Sequence, residues 1–437
     1  MSLPVAVIGG GYAGMACAVE LVRQDVPVVV YERSQVLGGR ARLVRHHDWQ
    51  VDNGQHLLLG AYHELARLLR LVGVSPKNLN HFPLTLQMPG VMRLQAWPLP
   101  APLHLLGGVL SASGLTLRDK MQMMRLMRYL KKHHYQCDAA QTVAELLQAT
   151  GQGEKICRLI WQPLCVAALN TPVEKASAAV FSRILGDSLG GRASDSVLVL
   201  PRRDLTELFP VPAARFLATR RGRVNTGTTV AQIMARQEGR QAFILSGNEM
   251  QSQIFSHVVM ATAPYHAAKL LAGVPGCVQV QHQLRSLDYR PIITVYMVLE
   301  PALSLPFPML ALNGEPGQWL FDRSALCGHP GELACVISDA QRWLDVPHSE
   351  LELAVLRQLE HLLNRRLPSP LKTLTITEKR ATFSCEAGQT RPTMQTGLPG
   401  LWLAGDYLAP HYPATLETAV RSGVAVARAV ALEWATQ

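Results

Sequence analysis

The chain has 437 residues, of which 48% are hydrophobic and 17% charged, with 42 Lys+Arg against 32 Asp+Glu for a formal net charge of +10. A chain this apolar can bury a large core in about two or three domains, which excludes a disordered protein. Gly 33 and Pro 28 are near average usage, so collagen-like and other low-complexity sequences are excluded too.

In chain order, the first element is Val5–Ile8, a short continuous apolar run that reads as a buried parallel strand. It flows into a glycine-rich turn with no basic stretch before it, so it is not read as a signal peptide. Gly9, Gly11 and Gly14 occupy a G-x-G-x-x-G frame, residues 15–23 read as a helix, and residues 26–32 as a second buried strand ending at Glu32. Gly9 permits a tight turn, Gly11 lets a pyrophosphate approach the backbone, and Gly14 lets helix and strand pack closely. The helix N-terminus offers N–H groups to phosphates, and an acidic residue at the position of Glu32 accepts from ribose hydroxyls. Alone, the glycines would read as an ordinary turn; the strand–turn–helix–strand–Glu context makes them a dinucleotide site. The acidic residue favours NAD or FAD over NADP.

Past Glu32 come Arg33 and then Leu37-Gly38-Gly39-Arg40-Ala41, suited to another stretch of the same diphosphate ligand. Asp52-Asn53-Gly54-Gln55-His56 follows a further short strand. At the far end, Leu401–Ala404 reads as a strand leading into Gly405-Asp406, then His411 to Glu417 and a final helix containing Gly423. This order of motifs resembles the FAD-dependent amine oxidoreductase superfamily, which includes amine oxidases, phytoene desaturases and squalene-associated enzymes. The resemblance implies an α/β fold: a discontinuous Rossmann-like FAD-binding domain with an inserted mixed α+β substrate domain. It implies that Gly405-Asp406 meets the ribityl–phosphate region, that the helix begun by Thr415 and Leu416 points at the isoalloxazine ring, and that backbone near Val230 meets the adenine. Two internal runs, residues 52–62 and Trp161-Gln162-Pro163-Leu164 with Ala168-Leu169-Asn170-Thr171-Pro172, resemble the hydroxysqualene dehydroxylase family of bacterial hopanoid pathways. That likeness implies a long-chain isoprenoid substrate and reductive loss of its hydroxyl to give squalene.

The FAD-binding domain is expected in three pieces, 1–80, 215–270 and 390–437, with 81–214 and 271–389 forming the substrate domain. Residues 94–117 hold no Asp, Glu, Lys or Arg, and their three prolines and three glycines are expected to break any spanning helix, leaving an apolar loop. Residues 115–134, LTLRDKMQMMRLMRYLKKHH, set Arg118, Arg125, Arg128 and Lys132 on one helical face and Met123, Met127 and Leu130 on another. The region 94–134 thus reads as a contact for an anionic membrane surface, against the alternative of a buried loop and an ordinary solvated helix. With no clean membrane span, the expected location is cytoplasmic, at the inner face of the cell membrane. Nucleic acid is not expected as a partner, since the charge is one short cluster without a binding motif.

Loss of an allylic hydroxyl needs a proton for the departing oxygen and exclusion of water from the resulting cation. His56 is the first candidate donor, with Asp52 second and Tyr412 and Glu417 behind them; for His56 a purely structural role bonding backbone stands equally open. The scattered cysteines and the adjacent pairs His46-His47 and His133-His134 suggest no metal site. A polyene desaturase, a flavin amine oxidase and a non-enzymatic prenyl-binding escort protein are the competing readings, and the electron donor is not legible.

Overall fold

The computed structural model describes residues 3–236, 242–248, 250–303, 305–408 and 412–436. Its centre is a five-stranded parallel sheet in the order Gly222–Asn225, Val28–Tyr31, Val5–Ile8, His257–Met260, Leu401–Leu403. The middle strands are buried throughout because both faces of the sheet are covered. The helix Tyr12–Arg23, buried from Tyr12 to Val22, lies against the final helix Leu416–Ala435 in one apolar core. Their backbones approach so closely that a Cβ on Gly423 would collide with the Ala13 carbonyl. Beside this contact the buried Glu20 carboxylate accepts from Arg23 at 2.7 Å and Arg67 at 3.1 Å, with Arg428 at 3.6 Å. Burial alone would raise its pKa; the Arg23 and Arg67 hydrogen bonds outweigh burial and hold it below the usual carboxylate range.

The parallel strands come from three separated stretches of chain. Leu205, Leu208, Phe209 and Ala213, in the stretch expected in the substrate domain, pack in the same core as the helix Tyr12–Arg23. Tyr12 Oη donates to the Leu205 carbonyl at 2.8 Å, and its ring packs on Phe209. The strand Leu198–Pro201 pairs with Leu58–Leu59 and Leu79–Phe82, closing the entrance to the first insertion. Between Gly222–Asn225 and His257–Met260 the chain makes a three-stranded antiparallel excursion, Thr229–Arg236, Ala242–Asn248 and Met250–Phe255.

The second insertion is an antiparallel sheet in the order Met309–Ala311, Trp319–Asp322, Glu332–Ser338, Tyr289–Val298, Lys372–Phe383. Its residues alternate between two environments, as strand geometry requires. Ile293, Val295, Met297 and Leu320 pack with Leu351, Val355 and Leu359 of the helix His348–Leu363. Ile292, Thr294, Trp319 and Phe321 face the interior cavity described below.

The first insertion carries the hairpin Thr85–Met88/Met92–Gln95 and several helices, among them Leu103–Ser111, Leu117–Lys132 and Ala178–Leu189. Residues 103–111 were expected as broken loop. They are helical because Gly107 and Gly108 let the helix sit directly on Trp97 and the Gln95 carbonyl, where any side chain would collide. The close packing overrides the weak helix propensity of glycine. Among the described residues no helix is long and apolar enough to cross a membrane.

Gly423→Ala is expected to destabilise the protein by roughly 1–3 kcal/mol, the range for overpacking a core. A fall in Tm in thermal melts would show it, and an unchanged Tm would mean that the two helices are free to separate.

Candidate active site

The strand Val5–Ile8 ends at Gly9, whose φ of +113° is open to glycine. A Cβ at Gly9 would stand 2.6 Å from the Ala261 carbonyl oxygen, and one at Gly14 would collide with the Gly9 carbonyl. These two glycines therefore set the turn and the helix–strand contact. Gly11 differs: a Cβ there would meet Gly39 at an ordinary 3.7 Å. The helix that follows has no side-chain cap at Gly11 and no acidic residue in its first turn, so its free N–H groups and positive dipole end are left for an anion.

Glu32 stands at the end of the neighbouring strand. Its carboxylate accepts from the Gly10 N–H at 2.6 Å and the Ser34 N–H at 2.8 Å. It braces the glycine turn, and a carboxylate with about four lone-pair sites still has capacity for ribose hydroxyls. Gly38 and Gly39, at φ +117° and +63°, lay a second glycine turn beside Gly11, with Gly38 N–H donating to Gly10 O at 3.0 Å. Arg40 reaches across to Asp406, both carboxylate oxygens at 2.7 Å, tying this turn to the far end of the chain. Gly405 N–H donates to Ser422 Oγ at 2.7 Å, and Thr415 caps the final helix through the Thr418 N–H at 3.2 Å.

One cavity of about 920 Å³ joins these pieces. It is lined by Gly9, Gly11, Glu32, Arg33, Gly39, Arg40, Val230, Gly405, Asp406, Thr415 and Leu416, eleven of the twelve residues expected to bind the cofactor; Gly14 lies beneath the turn. Three buried oxygens in its wall, Thr262 Oγ1, Thr294 Oγ1 and Tyr407 Oη, have no hydrogen-bond partner among the described residues. Buried polar atoms are normally paired, so these three mark a wall that receives a polar ligand. A glycine cradle, an uncapped helix start and unpaired hydroxyls together fit a dinucleotide such as FAD. The same cavity continues into an apolar chamber walled by Leu84, Leu86, Leu164, Phe181, Ile184 and Leu185 on one side and the Trp319–Phe321 face of the antiparallel sheet on the other.

The candidate proton donors fall into different places. His56 lines the cavity, with Nδ1 2.8 Å from the Gly54 carbonyl. Burial lowers its pKa, outweighing that bond, and nearby Arg40 lowers it further, so the ring is held uncharged. Asp52 is corrected: it is not in the cavity wall. Its carboxylate accepts from the Leu205 N–H at 2.8 Å, and burial pushes its pKa up to about 7. Glu417, the last of the candidate donors, caps the helix His63–Leu71, accepting from Glu64 N–H at 3.0 Å and Leu65 N–H at 2.9 Å, and accepts from Arg421 Nε of its own helix at 2.7 Å. Tyr412 does face the cavity. Its hydroxyl donates to Asp187 Oδ2 at 2.6 Å and accepts from Arg183 Nε at 3.2 Å. His411 lies outside the described residues.

The run Ala168 to Pro172 proves structural in its polar members. Asn170, at φ +49°, donates to Thr382 Oγ1 at 3.0 Å and accepts from the Asp339 N–H at 2.6 Å, pinning helix to sheet at the chamber wall. Trp161 ends a π-type turn at Cys157–Trp161 and donates to Gln152 at 2.8 Å; the helix after it supplies Leu164 to the chamber. Sequence reasoning missed Thr262, Thr294 and Asp187. Thr262 follows an apolar strand directly, a position that could have been flagged; Asp187 sits mid-helix with no local signal.

The sequence profile of the family described as flavin containing amine oxidoreductase matches residues 12–431. A hydroxysqualene dehydroxylase of Sinorhizobium fredii is 27% identical over 96% of this chain and 96% of its own. A 15-cis-phytoene desaturase of Synechococcus elongatus is 23% identical over 98% of this chain and 95% of its own. Among solved structures, putrescine oxidase bound to putrescine superposes with a TM-score of 0.73 at 15% identity, covering 98% of this chain and 99% of that one, a likeness of fold.

Gly11→Val is expected to fold, since its Cβ meets no protein atom closely, and to lose flavin because the side chain occupies the pyrophosphate approach. Glu32→Ala should lose less, because water can replace a lost hydrogen bond. Circular dichroism and visible flavin absorbance of the purified variants measure both. A folded Gly11→Val protein with full flavin content would overturn the site.

Proposed function

The chain belongs to the flavin-containing amine oxidoreductase family and is an FAD-dependent oxidoreductase; from that premise we propose that it reductively removes the hydroxyl of hydroxysqualene to give squalene. The observation that carries this reading is the continuity of the polar dinucleotide cradle with a chamber of leucine, isoleucine and phenylalanine. Such a chamber suits a long hydrocarbon and offers little to a small charged amine. The resemblance in sequence to hydroxysqualene dehydroxylase over nearly the whole chain supports the choice of substrate.

In this reaction the C–O bond breaks, the oxygen takes a proton and leaves as water, and the carbon gains a hydride. Bound in this cradle and reduced by a separate electron donor, FAD would supply that hydride. Gly9, Gly11, Gly39, Arg40 and Val230 would hold its adenosine and diphosphate, and Gly405, Asp406, Thr415 and Leu416 its flavin half. The chamber leucines and Phe181 exclude water from the carbon that has lost its hydroxyl. Tyr412, whose phenol O–H rests on the Asp187 carboxylate, turns that proton to the leaving oxygen, and the phenolate left beside Arg183 and Arg421 regains a proton from solvent. His56 is poorly placed for that task because burial disfavours its cation. In the tautomer that donates Nδ1–H to Gly54, its Nε2 accepts from the substrate hydroxyl and orients it.

Anaerobically reduced enzyme should convert hydroxysqualene to squalene in a single turnover. If it leaves hydroxysqualene untouched while the oxidised enzyme desaturates a polyene, the desaturase reading replaces this one.

Tyr412→Phe should slow that turnover by on the order of 10²-fold or more, the usual contribution of a general acid, with flavin retained. His56→Ala should act mainly on KM. The wild-type rate should not fall between about pH 6 and 8, where an ordinary histidine would lose its proton. A fall in that window that His56→Ala abolishes would return the donor role to His56.

A further inference from the structure

The large hydrophobic side chains left exposed are concentrated between residues 97 and 129. On the helix Leu103–Ser111, Leu103, Leu106 and Leu110 share one face and are 51%, 40% and 53% exposed. Just after it, Leu117 and Met121 begin the helix Leu117–Lys132, at 69% and 52% exposed. At about 100° per residue, the stripe that starts with Leu117 and Met121 continues through Arg125, Arg128 and Lys132. One surface therefore runs from an apolar patch into a ladder of cations. The opposite stripe of the same helix faces inward: Met123 and Leu130 are buried, and Met127 packs on the core.

The patch is built rather than frayed. Gly107 and Gly108 seat the first helix on Trp97 and Gln95, which forces its leucine face outward. Trp97 Nε1 donates to Ser111 Oγ at 3.0 Å, and Lys120 Nζ donates to the Leu110 carbonyl at 2.7 Å, joining the two helices. Single exposed leucines are ordinary, but a contiguous set on one face marks a contact. The hairpin beneath the patch also connects it to the chamber. Gly108 lies on Gln95 of one strand, whose partner strand places Thr85 and Leu86 in the cavity wall.

We propose that this helix pair is a docking surface for an anionic lipid membrane, with Leu103, Leu106, Leu110, Leu117 and Met121 entering the acyl boundary and Arg125, Arg128 and Lys132 meeting the headgroups. Charge selects the lipid over a second copy of the chain. Residues 115–134 carry six basic side chains against Asp119, half of the whole chain's excess, and two such ladders face to face would repel. An apolar wedge beside a basic strip is how an interfacial helix binds without spanning. The proposal does not depend on which reaction the cavity performs.

The test is co-sedimentation of the purified flavoprotein with phosphatidylglycerol-containing vesicles and with pure phosphatidylcholine vesicles. Wild type should bind the anionic vesicles, and salt should weaken the binding. A Leu103→Gln/Leu106→Gln/Leu110→Gln variant changes only exposed side chains, so it should keep its Tm and flavin content while losing vesicle binding. An Arg125→Gln/Arg128→Gln/Lys132→Gln variant should bind the anionic vesicles about a hundredfold more weakly, since each basic residue near such a surface contributes about 1 kcal/mol. Equal sedimentation of wild type and the leucine variant would overturn the proposal. So would a dimer in analytical ultracentrifugation that the leucine variant makes monomeric while neither protein binds vesicles.

Discussion

The structure depends on the contact between the first helix and the last. Gly423 against the Ala13 carbonyl brings the two ends of the chain within backbone contact, and the parallel sheet, the glycine turn and the start of the final helix all take their places from it. Without it the cofactor cradle would have its adenosine half and its flavin half on separate bodies. The buried Glu20 with Arg23, Arg67 and Arg428 reinforces the same junction from the side. Only loss of its arginines together would leave the fully buried Glu20 carboxylate without compensation in a place water does not reach. The junction is thus specified twice, once by shape and once by charge.

The second constraint is the division of labour in the cavity wall. At one end the wall is backbone, because only glycine and free N–H groups let a diphosphate come close. At the other it is side chain, contributed by two insertions with different architectures. These insertions hold their positions through polar knots outside the apolar surface. Asn170 joins helix to sheet, and the buried pair Arg323–Glu332 holds Gln55 in the cavity wall through Arg323 Nη1 at 2.9 Å. The apolar chamber walls are thereby held in place, with Tyr412 and Asp187 set among them.

The outer surface follows from the same economy. The hairpin Thr85–Met88/Met92–Gln95 gives the chamber one wall and gives the helix Leu103–Ser111 its seat. A face of leucines pointing away from the core is stable there because two glycines fix the helix by backbone contact and leave its side chains free. A basic stripe on the next helix, through Arg125, Arg128 and Lys132, follows that apolar face in the chain.

The sequence by itself determined the dinucleotide layer. Gly9, Gly11, Gly14 and Glu32 are readable because a tight turn and a phosphate approach impose fixed residue types at fixed spacing. Gly405-Asp406 and Thr415 were legible as a second signature through resemblance. Its connection to the first, the Arg40–Asp406 bond across the whole chain, is visible only in the fold. Tertiary structure alone decided that Asp52 braces Leu205, that Glu417 caps a different helix, and that Tyr412 meets Asp187 in the chamber. It also decided that Leu103, Leu106 and Leu110 face outward while Met123 and Leu130 face in. The physical reason is the same in each case. A backbone conformation is encoded locally, but the partner of a side chain is whatever the fold packs beside it, and periodicity shows that a face is apolar without showing what covers it.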